Sequence, residues 1–175
     1  MSFDVGAARD ARLEGAGEPW TLVFVRELRQ PPPVVWEALT DPAELDQWAP
    51  FVPVRDLNEP GVTTFTMVDG DNREDTPAVV RVVEAPKVLE YTWGQDLLRW
   101  ELEPAGDGTL LTLRHTLVEP SDPASVTTGW HVCVVVLQHL LDGDPHGVIR
   151  GREAERYGFD ALREAYGKIL GRAAG

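Results

Sequence analysis

The chain has 175 residues, 43% hydrophobic and 26% charged, with 29 acidic against 16 basic side chains and a formal net charge of −13. That length fits one domain that can bury a core without help from disulfides or metal. The lone Cys133 excludes an internal disulfide framework and any all-cysteine metal site. So acidic a chain repels nucleic-acid phosphates, so no nucleic-acid partner is expected.

Residues 1–18 read as a flexible lead-in, punctuated by Gly6, Gly15 and Gly17, without the apolar run of a signal peptide. No stretch approaches the ~20 apolar residues that cross a bilayer, so a cytoplasmic protein without membrane insertion is expected. Residues 20–29 alternate as a strand. Trp20, Leu22, Phe24, Arg26 and Leu28 share one face, and Thr21, Val23, Val25 and Glu27 the other. Pro31, Pro32 and Pro33 end the strand and open a helix over 34–39. Thr40 or Asp41 caps a second short helix carrying Leu45 and Trp48.

From Phe51 the period changes to two. Strands are predicted over 51–57, 61–68, 76–85, 87–94, 97–103 and 109–117, separated by turn residues such as Asp69-Gly70-Asp71-Asn72, Gly94-Gln95-Asp96 and Gly106-Asp107-Gly108. After Glu119-Pro120 the helical period returns. Ser121 or Asp122 caps a helix that runs to about 142, with Val126, Trp130, Cys133, Val134, Leu137, Leu140 and Leu141 as its apolar stripe. Residues 143–151 read as a loop and 153–170 as a last amphipathic helix with Phe159, Leu162 and Tyr166 inward. This order describes an α+β domain in which a long helix packs on one antiparallel sheet.

Several stretches carry a family resemblance, in order. Residues 33–42, followed by Leu45 and Trp48, resemble the opening motif of START-like, helix-grip proteins of the SRPBCC superfamily, and in particular homologues of the heat-shock-protein-90 ATPase activator. The stretches 89–93, 108–116, Gly129-Trp130-His131, 140–143 and 162–171 extend the match over about 20–171. The acidic run from Asp69 to Asp75 and the long charged segment 143–158 depart from the pattern. The resemblance implies a single helix-grip (Bet v 1-like) domain over 19–171: a curved antiparallel sheet of six or seven strands around a long C-terminal helix, with a ligand cavity between them. One fold hosts many activities, so function must be argued from the site.

Alternation groups Leu89, Tyr91 and Trp93 on one strand face, Leu98, Trp100 and Leu102 on the next, and Leu111, Leu113, His115 and Leu117 on the last. With the helix residues these form either a filled core or a cavity wall. The candidate ligand contacts are Phe24, Arg26, Trp48, Phe65, Tyr91, Trp93, Leu98, Trp100, Leu113, His115, Trp130, Val134 and Leu137. His115 reads either as a ligand-facing acid/base or as a satisfied core histidine, and Arg26 as a carboxylate clamp, an internal ion pair or a side chain reaching solvent at the sheet edge. No orienting carboxylate stands at a fixed spacing from His115.

Metal motifs are absent. His131 and His139 lie about 12 Å apart along one helix, too far for one ion, and His146 has no carboxylate at motif spacing. No Gly-x-Ser-x-Gly elbow or phosphate loop occurs, and Cys133 reads as inert packing. Glu101 and Glu103 read as the solvated side of a strand, and the acidic run as a solvated turn.

The leading expectation is non-enzymatic binding of a small, largely apolar molecule, without cofactor or metal. A co-chaperone-like module that contacts a chaperone ATPase is the second reading, and a polyketide cyclase/aromatase-like enzyme with His115 as base is the third. Monomer and homodimer both remain open.

Overall fold

The computed structural model describes residues 5–15, 19–69, 71–118 and 122–174. Eight antiparallel strands form one sheet in the order β1-β2-β8-β7-β6-β5-β4-β3: β1 (Ala11–Glu14), β2 (Trp20–Leu28), β3 (Phe51–Pro53), β4 (Gly61–Asp69), β5 (Asn72–Glu84), β6 (Val88–Trp93), β7 (Asp96–Ala105) and β8 (Gly108–Leu117). Strands β3 to β8 are a meander, and β2 pairs with β8 from Trp20↔Leu117 to Leu28↔Thr109. Helices α1 (Pro32–Thr40) and α2 (Pro42–Leu45) carry the chain from one side of the sheet to the other. The long helix α3 (Pro123–Leu141) lies on the inner face. A 3-10 helix (Gly151–Tyr157) and α4 (Phe159–Ala174) complete the order.

The local chemistry explains the elements. Pro32 and Pro33 occupy the first turn of α1, where a missing N–H costs nothing. The carboxylates of Asp41 and Asp122 cap α2 and α3 by accepting from the N–H groups of Ala43 and Ala124. Ser121, the other candidate cap of α3, lies outside the described residues, as do Gly17, Gly70, Glu119 and Pro120.

Several boundaries differ from expectation. The segment taken as lead-in contains β1, which pairs with β2 as Leu13↔Leu22, and both Leu13 and Val5 are buried. The sheet therefore has one strand more than the six or seven expected. Strand β3 stops at Pro53 rather than 57, because the next residues turn: the Asp56 carboxylate accepts from the N–H of Asn58, and Arg55 donates to the carbonyls of Asp56 and Glu59. The acidic stretch 72–75 belongs to β5, with Met67↔Glu74 and Thr66↔Asp75 in register with β4. Cross-strand pairing, which runs along the whole hairpin, overrides the low strand propensity of those residues. The last helix is broken at Gly158, whose φ of 79° is left-handed.

α3 also corrects the expectation about apolar length. An 18-residue window of this 19-residue helix has a mean hydropathy of 1.3, enough in length and composition to cross a membrane. Here it is the core helix, with Trp130, Val132, Val134, Val136 and Leu137 buried.

The strand faces predicted by alternation do point inward. Leu89, Tyr91, Leu98, Trp100, Leu111 and Leu113 are all buried. On the outer face, Arg99 pairs with Glu90 and Glu101, and Arg114 with Glu101 and Glu14, which makes Glu101 part of a solvated ion network.

At the β7–β8 turn the backbones approach so closely that only glycine fits. A Cβ on Gly108 would stand 2.1 Å from the carbonyl oxygen of Leu28. Gly108→Ala must push β2 and β8 apart, and a destabilisation of about 1–3 kcal/mol is expected. Urea unfolding checks this; an unchanged midpoint would show that the strands can part at no cost.

Candidate functional site

The deep half of the space between sheet and helix is filled. Trp100 stands edge-on between Trp48 (6.0 Å, 83°) and Trp130 (5.5 Å, 88°). Its indole N–H donates to the Tyr91 hydroxyl at 2.9 Å, and burial pushes the Tyr91 phenol above its ordinary range against the opposing pull of that bond. Phe51 stacks on Phe65 at 4.3 Å, and both rings meet Tyr91 edge-on. Leu98, Leu113, Val134, Leu137 and Phe24 are buried in the same core. Of the thirteen candidate contacts, nine are therefore packing rather than cleft wall: Phe24, Trp48, Phe65, Tyr91, Leu98, Trp100, Leu113, Val134 and Leu137.

The open space lies at the other end of the fold. A cleft of about 1120 Å³ is lined by the outer β4–β5 hairpin, the ends of β6 and β7, the first half of α3 and the segment 149–159. Trp93, His115 and Trp130 are the predicted residues that reach it. Met67, Val126, Cys133, Ile149 and Phe159 complete an apolar wall, and Arg73, Glu74, Asp96 and Arg150 add charge.

His115 is 2% exposed and engaged at both ring nitrogens. The Trp130 indole donates to Nδ1 at 3.0 Å, and Nε2 faces Asp96 Oδ2 at 2.8 Å. An indole N–H can only donate, so Nδ1 accepts and the ring proton sits on Nε2, directed at the carboxylate. The other Asp96 oxygen accepts from the Val118 N–H at 2.8 Å. This carboxylate is the one judged missing from the sequence. Leu98 is the cross-strand partner of His115, and Asp96 lies two residues earlier on the same strand face. Extending the Leu98-Trp100-Leu102 alternation by one step would have found it. The lone pair that a general base needs is thus occupied by Trp130, and the triad holds the rings that form the cleft floor.

Cys133 also lines the cleft. Burial pushes its thiol up to about 12, against the opposing pull of the Arg150 charge, so it remains a thiol at neutral pH and is no nucleophile. Among the described residues no group of three or more His, Cys, Asp or Glu side chains converges as a metal site.

Arg26 belongs elsewhere. Its guanidinium lies 3.8 Å over the Phe24 ring, donates to the carbonyls of Asp10 and Val25, and donates to the Tyr166 hydroxyl at 2.7 Å. It is none of the things expected of it, a ligand clamp in the cleft, one half of an ion pair or a side chain reaching solvent; it is buried, and its hydrogen bonds go to neutral oxygens. Tyr166 also accepts from the Arg9 N–H and donates to His131 Nδ1 at 2.6 Å, while His131 Nε2 donates to the Val5 carbonyl. This node ties the N-terminal segment and β2 to α3 and α4.

The arrangement is that of a helix-grip protein: an antiparallel sheet, a long C-terminal helix on its inner face, and a cleft between them. The family model for activator of Hsp90 ATPase homolog 1-like protein matches residues 29–142, and the chain belongs to this family. The solved structures agree on the fold. The conserved protein EF2215 from Enterococcus faecalis has a TM-score of 0.70 at 19% identity, covering 94% of this chain and 91% of its own. CalU16 from Micromonospora echinospora in solution also has a TM-score of 0.70, at 22% identity, covering 99% and 98%. The AHSA1-like protein from Aeromonas hydrophila has a TM-score of 0.60 at 20% identity, covering 72% and 96%. No curated protein matches the chain.

The His131 node carries a pH dependence. Burial lowers the proton affinity of His131 and the nearby Arg26 and Arg9 charges lower it further, against the bond to Val5. The unfolded chain, with an imidazole near 6.5, therefore takes up the proton first. The stabilisation is complete above about pH 6.5 and declines as pH falls from there towards the lowered folded value. In urea titrations, the stability difference between wild type and His131→Gln is expected to shrink from pH 7.5 to pH 5.5. A constant difference would rule out this titration.

Proposed function

We propose that this protein binds a small, largely apolar molecule in the cleft between its sheet and α3. The observation that carries the proposal is the cleft itself. Its volume of about 1120 Å³ suits a small-molecule ligand, and aromatic, aliphatic and thioether groups make up most of its lining, beside a polar edge of Asn72, Arg73, Glu74 and Thr76. The fold leaves this volume empty although the adjoining core is tightly packed. Asp96, His115 and Trp130 hold one another rather than presenting a nucleophile or a free base. That favours binding over catalysis and leaves the cyclase reading without its base.

Docking on a chaperone ATPase rests on the family description alone. The cleft is the more specific observation.

Gly129 supplies the test. It lines the cleft from α3, and a Cβ placed on it meets nothing within 4 Å. A larger side chain there enters the cleft without displacing the core. Gly129→Leu is expected to weaken binding of the neutral fluorophore N-phenyl-1-naphthylamine at least tenfold. Gly129→Ala should raise stability by about 0.5–1 kcal/mol through helix propensity. Unchanged fluorophore binding in folded Gly129→Leu would reject the cleft as the site.

A further inference from the structure

We infer that the ligand is an amphiphile with a carboxylate head, and that Arg150 receives the head. This rests on the proposed binding role of the cleft and names the class of its occupant. Arg150 is a cleft-lining cation whose side chain is only 10% exposed. Its Nε donates to the Ala49 carbonyl at 2.9 Å and its Nη2 to the Asp46 carbonyl at 3.3 Å. These bonds hold the guanidinium plane at the junction after α2.

The bonds to two neutral carbonyls leave the positive charge under-compensated. The ionic partner among the described residues is the Asp46 carboxylate, 3.6 Å from Nη1 and itself 65% exposed, a separation beyond a hydrogen bond and open to water. A guanidinium has five N–H groups in a planar fork. Two are used by the carbonyls, and the Nη1 side remains available for an acceptor entering the cleft. A cation removed from water and weakly paired favours an anion beside it, and a carboxylate matches the fork with two oxygens. The remaining walls, Met67, Trp93, Trp130 and Phe159, suit an apolar body.

The exposed Arg73 is the second cation of the lining, and two acidic groups that face the cleft set the competing outcome. Asp96 is engaged by His115 and Val118. Glu74 is exposed, on the hairpin. If Glu74 governed the head group, an amine would be preferred.

The experiment titrates three ten-carbon probes into the full chain by calorimetry at pH 7.5: decanoate, decan-1-ol and decylamine. Decanoate is expected to bind about tenfold or more tightly than the alcohol, with the amine weakest. In Arg150→Gln the decanoate advantage should disappear while the alcohol binds as before; Arg150→Lys should restore part of it. Equal binding of acid and alcohol by wild type overturns the role of Arg150 and leaves the cleft proposal standing. Preference for the amine overturns it in favour of Glu74. Failure of all three probes removes the cleft proposal itself. The wild-type series decides these outcomes even if Arg150→Gln does not fold.

Discussion

The structure depends on one wedge, the Trp100 side chain driven between sheet and helix. It projects inward from the middle of β7, meets Trp48 on one side and Trp130 on the other, and finds a hydrogen-bond acceptor in the Tyr91 hydroxyl. A buried aromatic of this size hides about 150–250 Å², worth about 4–6 kcal/mol gross at ~25 cal/mol/Å². It also couples the turn after α2, β6, β7 and α3 in one contact set. The deep end of the grip is thereby filled, and the cleft lies at the other end, beside the first half of α3.

That placement gives the cleft its character. Trp130 is shared: one edge packs on Trp100, and its N–H satisfies His115. His115 in turn faces Asp96. A rigid floor of satisfied polar groups results, since none of these side chains can rotate without leaving a buried donor or acceptor unpaired, at a cost of about 1–3 kcal/mol. Cys133 and Phe159 add apolar surface, and Arg150 brings a positive charge whose side chain is only 10% exposed. The segment 149–159, which lies beyond the residues 29–142 matched by the family model, supplies Ile149, Arg150, Ala154 and Phe159. Residues outside the matched span thus build part of the site.

How much of this was legible depended on whether a feature was local. Alternation placed Leu89, Tyr91, Leu98, Trp100 and Leu113 on the inner face because a strand's period of two is a backbone property. It could not say whether an inner face ends in core or in cleft, because that depends on what stands opposite. Hence most of the thirteen candidates are packing. Asp96 looked like a turn residue because it follows Gly94 and Gln95, yet it is the first inward residue of β7. β1 was missed because four residues give too short a pattern, and its burial comes from α4 across the sheet edge.

The amino-acid sequence alone determined the class of fold: the order of elements, their periods, the proline and aspartate signals at helix starts, and the family motifs from residue 33 onward. These are properties of neighbouring residues, encoded at short range. The tertiary structure alone decided which aromatics fill space and which border it, that Arg26 is tied to Tyr166 on the way to His131 rather than to a ligand, and that Arg150 turns into the cleft. Those outcomes depend on contacts between residues about 100 or more apart in the chain, as in Arg26 with Tyr166 and Arg150 with Ala49, and no local pattern records them.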